Sequence, residues 1–188
     1  MTSTRILTVF ALAASASACG SDPVNYSAPV GIELKAKSGD VANAVVTENK
    51  AITTESGNPY GAFITDAHTK LGGKDPKEIE IDKLTLTLGG QSTGVTKLEE
   101  VLSGDVDVSF IMNDSNNTYD VGHVMNPTGV GPVDMVVSFD GTTVSSTDMP
   151  KLLSGSFKVV IRGDAATGFM SKGAEASLQA TFTFDAFE

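Results

Sequence analysis

The segment Gly90-Gln91-Ser92-Thr93-Gly94 places a serine between two glycines in the pattern G-x-S-x-G. In a tight turn from a strand to a helix, this spacing exposes the serine hydroxyl for attack on a carbonyl carbon. Asp114 and His123 continue the order serine, aspartate, histidine along the chain. Such a turn belongs to a large parallel sheet, whereas the short alternating strands of this chain indicate an antiparallel sheet. A small serine hydrolase is therefore the less favoured alternative, and we predict a flexible loop at 90–94.

A second candidate for chemistry is the segment His123-Val124-Met125. It resembles the H-x-M element of periplasmic copper chaperones, whose imidazole and thioether groups are ligands that suit copper. Met112 and Met135 lie on neighbouring predicted strands and could each add a ligand. In an alternating strand, however, His123 shares the parity of apolar residues such as Val121, which points it toward the core. We predict that His123 packs in the core, with copper handling as an alternative.

Side chains rich in oxygen cluster at 113–117, in the order Asn-Asp-Ser-Asn-Asn, with Asp120 nearby. Calcium prefers such ligands, so a calcium site is part of the metal-handling alternative. The glycine and the terminal glutamate of an EF-hand loop are missing, and Asn and Asp are also the usual residues of tight turns. The sequence therefore predicts a plain turn between two strands. His68 lies on a predicted helix beside charged residues, which predicts a solvated surface position.

The first eighteen residues have the pattern of a signal peptide, with one positive charge at Arg5, an apolar run over 6–14 and small residues before a cleavage site. The ending Ala16-Ser17-Ala18-Cys19 resembles the lipobox of bacterial lipoproteins. In that family the cysteine is lipidated, with acyl chains such as palmitate, and becomes the new N-terminus. Cys19 is the one cysteine of the chain, whereas structural cysteines of exported domains come in pairs. We therefore predict a signal peptide at 1–18 and lipidation at Cys19.

The segment 19–28 is rich in Gly, Ser, Asp, Pro and Asn, which predicts a flexible tether after the lipidated cysteine. A single domain at 29–188 follows. The chain carries a net charge of −10, which argues against a nucleic-acid partner because phosphates would repel it. Gly20 is not the aspartate that retains many lipoproteins at the inner membrane. The resemblance therefore implies a cell-envelope location at the outer membrane, with membrane lipid as one partner.

Alternation of apolar and polar residues dominates the chain from residue 29 onward, as in strands with one face on a core. It recurs in segments around 30–36, 106–112, 119–125, 133–139, 157–161 and 178–186. Between 78 and 88 the parity changes, which predicts a bulge at Asp82-Lys83. The stretch 41–54 predicts an irregular strand. Asn58-Pro59 begins a predicted helix of about three turns that ends near Leu71, and a second short helix is predicted at 96–102.

These elements predict a mainly β fold, specifically an antiparallel β-sandwich of immunoglobulin-like or Greek-key type with one substantial helix. The sequence predicts no catalytic residues, no cofactor and no metal ligands. The expected function is that of a membrane-anchored lipoprotein that binds or scaffolds an unknown envelope protein or surface ligand without catalysis. The alternatives left open are a metal-handling protein, for copper or calcium, and the small serine hydrolase.

Overall fold

The structure is a computed structural model that describes residues 25–53, 55 and 57–188. The strands are β1 (Asn25–Lys37), β2 (Val45–Ile52), β3 (Glu78–Leu88), β4 (Leu102–Met112), β5 (Thr118–Met125), β6 (Val133–Val137), β7 (Phe157–Ala165) and β8 (Glu175–Phe187). The helices are α1 (Pro59–Lys70) and α2 (Met149–Leu153). The fold is therefore mainly β, as the alternating sequence predicts.

The eight strands form one antiparallel sheet in the order β1-β8-β3-β6-β5-β4-β7-β2. The end strands β1 and β2 approach each other, so the sheet is nearly closed into a barrel. The predicted β-sandwich is not confirmed. The physical reason is β6, which pairs with β3 on one side and with β5 on the other and so joins two halves into one sheet. Alternation alone does not distinguish these architectures, because both bury one face of each strand.

The inner face of the sheet is apolar and holds a cluster of aromatic rings. The Phe110 ring lies 4.9 Å from the Phe157 ring and 5.7 Å from the Phe182 ring, and Phe182 stacks on Phe184 at 5.4 Å. All four side chains are fully buried. Aromatic pairs at these distances add to the free energy of burial, so this cluster stabilises the packing of β4, β7 and β8 across the core.

Helix α1 covers one end of the barrel. The Asn58 side chain accepts a hydrogen bond from the Tyr60 backbone N–H at 2.9 Å, and Pro59 occupies the first helical position, as the sequence predicts. On its buried side, Phe63 stacks on Tyr26 of β1 at 5.8 Å. The buried Tyr60 hydroxyl donates to the Leu152 carbonyl of α2 at 3.0 Å. These contacts fix α1 against β1 and α2.

Three local predictions can be compared directly with the structure. The β3–β8 ladder shifts register between Ile81 and Lys83, which confirms the predicted bulge. The second short helix is a single 3-10 turn at Leu98–Glu100. Strand β1 begins at Asn25, so residues 25–28 are paired with β8, whereas the sequence predicted that they belong to the tether. Residues 1–24, with the predicted signal peptide and Cys19, lie outside the described residues.

Candidate functional site

The sheet is interrupted between β1 and β2, a place we call the seam. These strands are consecutive in the chain and run antiparallel, because an odd number of antiparallel pairings separates them around the sheet. A 3-10 turn at Ser38–Asp40 begins the connection between them. Among the described residues, no ladder of hydrogen bonds joins β1 to β2. Each strand therefore faces the seam with backbone N–H and carbonyl groups that no neighbouring strand pairs.

Two charged side chains occupy inward positions of β2. Glu48 lies opposite Ile161 of β7, and Lys50 lies opposite Val159. Residues that pair across an antiparallel ladder point to the same face of the sheet, and both partners on β7 are buried on the inner face. Glu48 and Lys50 thus place a carboxylate and an ammonium group on the inner face, at the edge where it opens to solvent.

The seam encloses a cleft of about 450 Å³, within the size range of ligand pockets in proteins. Five consecutive residues of β1, 31–35, form one wall, and residues 48–50 and 52 of β2 form the other. Asn58 and Pro59, at the start of α1, close one end. The cleft thus combines apolar inward side chains, charged groups and two free strand edges.

The cleft lies between the interior and solvent, and this position affects its two carboxylates, Glu48 and Glu33. Partial burial raises the pKa of Glu48 above its usual range, Asp40 adds to the rise, and Lys37 opposes it. On the outer face of β1, the Glu33 carboxylate accepts a hydrogen bond from the Ser177 hydroxyl at 2.7 Å, which holds it against β8. Glu48 is therefore a partly desolvated carboxylate at the edge of this cleft.

The G-x-S-x-G serine has a structural role in the turn after β3. The Ser92 hydroxyl donates to the Gly89 carbonyl at 2.8 Å and accepts from the Ser177 backbone N–H at 3.0 Å. Asp114 lies in the β4–β5 turn, at the opposite end of the sheet, because β3 and β5 run in the same direction. The structure therefore does not bring Ser92, Asp114 and His123 together.

The position of His123 is decided by a bulge in β5. Val108 of β4 pairs with Gly122, and the next residue of β4, Ser109, pairs with Asp120, so Val121 is an extra residue in β5. One extra residue reverses the faces of all residues that follow it in the strand. His123 is consequently exposed, and the prediction that it packs in the core is wrong.

The residues of the copper alternative lie on two faces of the sheet. Met125 shares the outer face with His123 and is 58% exposed, whereas Met112 and Met135 are buried on the inner face. They cannot converge on one ion. Among the described residues, no group of three or more His, Cys, Asp or Glu side chains is placed to hold a metal.

The oxygen-rich loop at 113–117 is fastened to a buried carboxylate. The fully buried Asp148 accepts hydrogen bonds from the Asn117 amide at 2.7 Å, the Ser115 hydroxyl at 2.9 Å and the Tyr119 hydroxyl at 2.9 Å. The Lys151 ammonium lies 3.0 Å from the same carboxylate. These donors, the Asn117 amide first, hold the pKa of Asp148 far below its usual range. Ser115 and Asn117 therefore serve a structural turn, and His68 is exposed as predicted.

Sequence reasoning missed the seam, although one signal pointed to it. Within the stretch 41–54, Val46 and Ile52 are buried at the same parity as Glu48 and Lys50. An interior parity that carries two charges between apolar residues is typical of an edge strand, where inward charges oppose pairing with another strand. The charged residues at the inward parity of this stretch therefore indicate an open edge of the sheet.

Within the described part of the chain, no helix is both long enough and apolar enough to cross a membrane. Comparison with known protein families and with curated proteins finds no match to this chain.

Proposed function

We propose that this protein is a lipid-anchored component of the bacterial cell envelope that binds a partner at the seam and performs no catalysis. The observation that carries the binding role is the pair of unpaired strand edges, β1 and β2, on either side of a cleft of about 450 Å³. Free edges of this kind are recognised by other polypeptides through main-chain hydrogen bonds. The inward charges of Glu48 and Lys50 add side-chain selectivity.

The anchoring part of the proposal depends on the sequence before β1. Cys19 follows a run of small residues, and five residues separate it from the first residue of β1. The net charge of −10 gives the surface no general attraction to anionic lipid, so a covalent anchor is needed to hold the protein at a membrane. The lipobox resemblance favours the outer membrane.

Fractionation of cells that express the full chain tests the anchor. We expect the wild-type protein to stay with the membranes after a high-salt wash and to incorporate labelled palmitate. Cys19→Ser should abolish the labelling and release the protein. A Cys19→Ser variant that stays in the washed membranes would contradict the anchor.

Site-specific photo-crosslinking in cells tests the binding role. A photoreactive amino acid at the exposed Asn49, in the middle of β2, should form adducts with another protein. The matched control is Asp134, an exposed position on β6 away from the seam. Adducts that occur equally at both positions, or at neither, would contradict a binding role for the seam.

A further inference from the structure

The inward residues of β2 have a pattern that specifies its partner. Val46, Glu48, Lys50 and Ile52 give the order apolar, acidic, basic, apolar along the inner face of the strand. In an antiparallel pair, the residue order of the partner is reversed, so the position opposite Lys50 precedes the position opposite Glu48. A partner with an acidic and then a basic residue at alternate positions would pair each charge with its opposite.

Strand β1 does not supply those charges. Its inward residues beside the cleft are Ile32 and Leu34, which are buried. If β1 and β2 closed on each other, Glu48 and Lys50 would lose water without gaining partners of opposite charge from β1, which is unfavourable. The raised pKa of Glu48 shows that part of this desolvation is already present. The side chains therefore favour an added strand over closure of the barrel.

The dimensions of the cleft fit a short extended segment. Its walls extend over five residues of each strand, 31–35 and 48–52, which corresponds to about 16 Å of extended chain. A segment antiparallel to β2 would run parallel to β1, because these two strands run in opposite directions. A separate extended segment brings no neighbouring strand of its own to the cleft. In a second folded copy the edge of β2 lies beside its own β1, so two copies would have to bring both pairs of strands to one cleft.

We propose that the seam binds an extended peptide segment of a partner protein, antiparallel to β2, with apolar, acidic, basic and apolar residues at alternate positions. This inference rests on the binding role proposed above and names the chemistry of the partner. The backbone of the segment pairs with the edge of β2. Its acidic residue faces Lys50, its basic residue faces Glu48, and its terminal apolar residues cover Val46 and Ile52.

The inward residues of β2 have the same order that the proposed partner needs, so a peptide with the sequence of β2 can serve as the probe. The peptide VVTENKAI, the sequence of residues 45–52, places its Lys opposite Glu48 and its Glu opposite Lys50 when it pairs about Asn49. The peptide VVTKNEAI has the same composition and places like charges opposite each other. Fluorescence anisotropy of each labelled peptide with the full chain carrying Cys19→Ser measures binding. We expect VVTKNEAI to bind at least about tenfold more weakly, because two opposite-charge pairs become two like-charge pairs.

Exchange of the two charges in the protein gives the reciprocal test. The double variant Glu48→Lys, Lys50→Glu should prefer VVTKNEAI over VVTENKAI by a similar factor. The matched control is Lys83→Asp, Asp134→Lys, which exchanges an exposed ion pair on β3 and β6 and should keep the wild-type preference. If the exchanged variant failed to fold, as judged by circular dichroism, the comparison of the two peptides on the wild-type chain would still decide.

Each outcome bears on the inference. Reversal of the peptide preference supports strand pairing at β2, whereas equal affinity for the two peptides, or no binding of either, overturns it. A concentration-dependent dimer that the charge exchange abolishes, without peptide binding, would also overturn it in favour of a second copy. Photo-crosslinks at Asn49 without peptide binding would leave the binding role intact and remove only the peptide inference.

Discussion

The hydroxyl of Tyr60 connects α1 to α2, and its removal is a sharp test of the packing at the closed end of the seam. Tyr60 is fully buried, and its ring meets Phe157 and Phe184 edge-on at 5.2 and 5.3 Å. Tyr60→Phe keeps these contacts and removes only the hydrogen bond to the Leu152 carbonyl. Burial raises the pKa of Tyr60, so the hydroxyl remains a donor into the alkaline range.

The loss of unfolding free energy in Tyr60→Phe depends on whether the Leu152 carbonyl keeps another hydrogen-bond donor. That oxygen also accepts from the Gly155 backbone N–H at 3.1 Å, so it keeps one partner after the change. The loss is then that of a single hydrogen bond, about 1 kcal/mol, and not the larger penalty of an unpaired buried group. For a domain of this size, about 1 kcal/mol corresponds to a fall in Tm of roughly 2–4 °C. Tyr60→Ala also removes the ring and should cost about 3–5 kcal/mol.

Urea denaturation followed by circular dichroism measures these differences, with Tyr26→Phe as the matched control. The Tyr26 hydroxyl lies 3.4 Å from the Asp66 carboxylate in an exposed position, so its removal should change the free energy of unfolding by less than about 0.5 kcal/mol. If Tyr60→Phe cost no more than Tyr26→Phe, the hydroxyl would contribute nothing to stability, and the assignment of Tyr60 as the link between the helices would be refuted.

Three further perturbations have expected outcomes that melting experiments check. Because the pKa of Asp148 is depressed, this carboxylate contributes to stability above the ordinary pKa of an aspartate, and the contribution is lost as pH falls below that value. Asp148→Asn should therefore lower Tm at pH 7 and reduce the loss of Tm between pH 4 and pH 2. Burial raises the pKa of Glu80, so the contribution of this carboxyl group to stability falls as pH rises from its ordinary pKa through its raised pKa. The Tm of Glu80→Gln relative to the wild type should therefore increase from pH 4 to pH 7; a constant difference would contradict this. A Cβ on Gly122 would lie 2.6 Å from the Val136 carbonyl, so Gly122→Ala should cost about 1–3 kcal/mol, whereas Gly39→Ala, which meets no atom within 4 Å, should be nearly neutral.

Features encoded by a few adjacent residues could be predicted from the sequence. The start of α1 is an example, because Asn58 and Pro59 are a cap and a first-turn residue whatever surrounds them. The bulge in β3 is another, because the apolar parity changes visibly between Ile81 and Leu84. These predictions needed no knowledge of strand order.

The bulge in β5 could not be found in the same way. After Val121, apolar residues occupy both parities, since Val124 and Met125 are neighbours, so no break in the pattern marks the extra residue. The face of His123 is set by the pairing of β5 with β4, which the sequence of β5 alone does not contain. The same limitation explains the sandwich prediction, because closure of the sheet depends on the partners of the short strand β6.

The open state of the seam is explained by side chains and not by the cost of closing a loop. β1 and β2 are joined by seven residues, 38–44, and such a short connection makes pairing between consecutive strands inexpensive in chain entropy. A hairpin would therefore be the expected arrangement for two adjacent antiparallel strands. The difference lies on the inner face, where Ile32 and Leu34 of β1 would meet Glu48 and Lys50 of β2. Desolvation of two charges opposes the ladder although the short connection favours it, so the feature that keeps the barrel open also defines what can fill it.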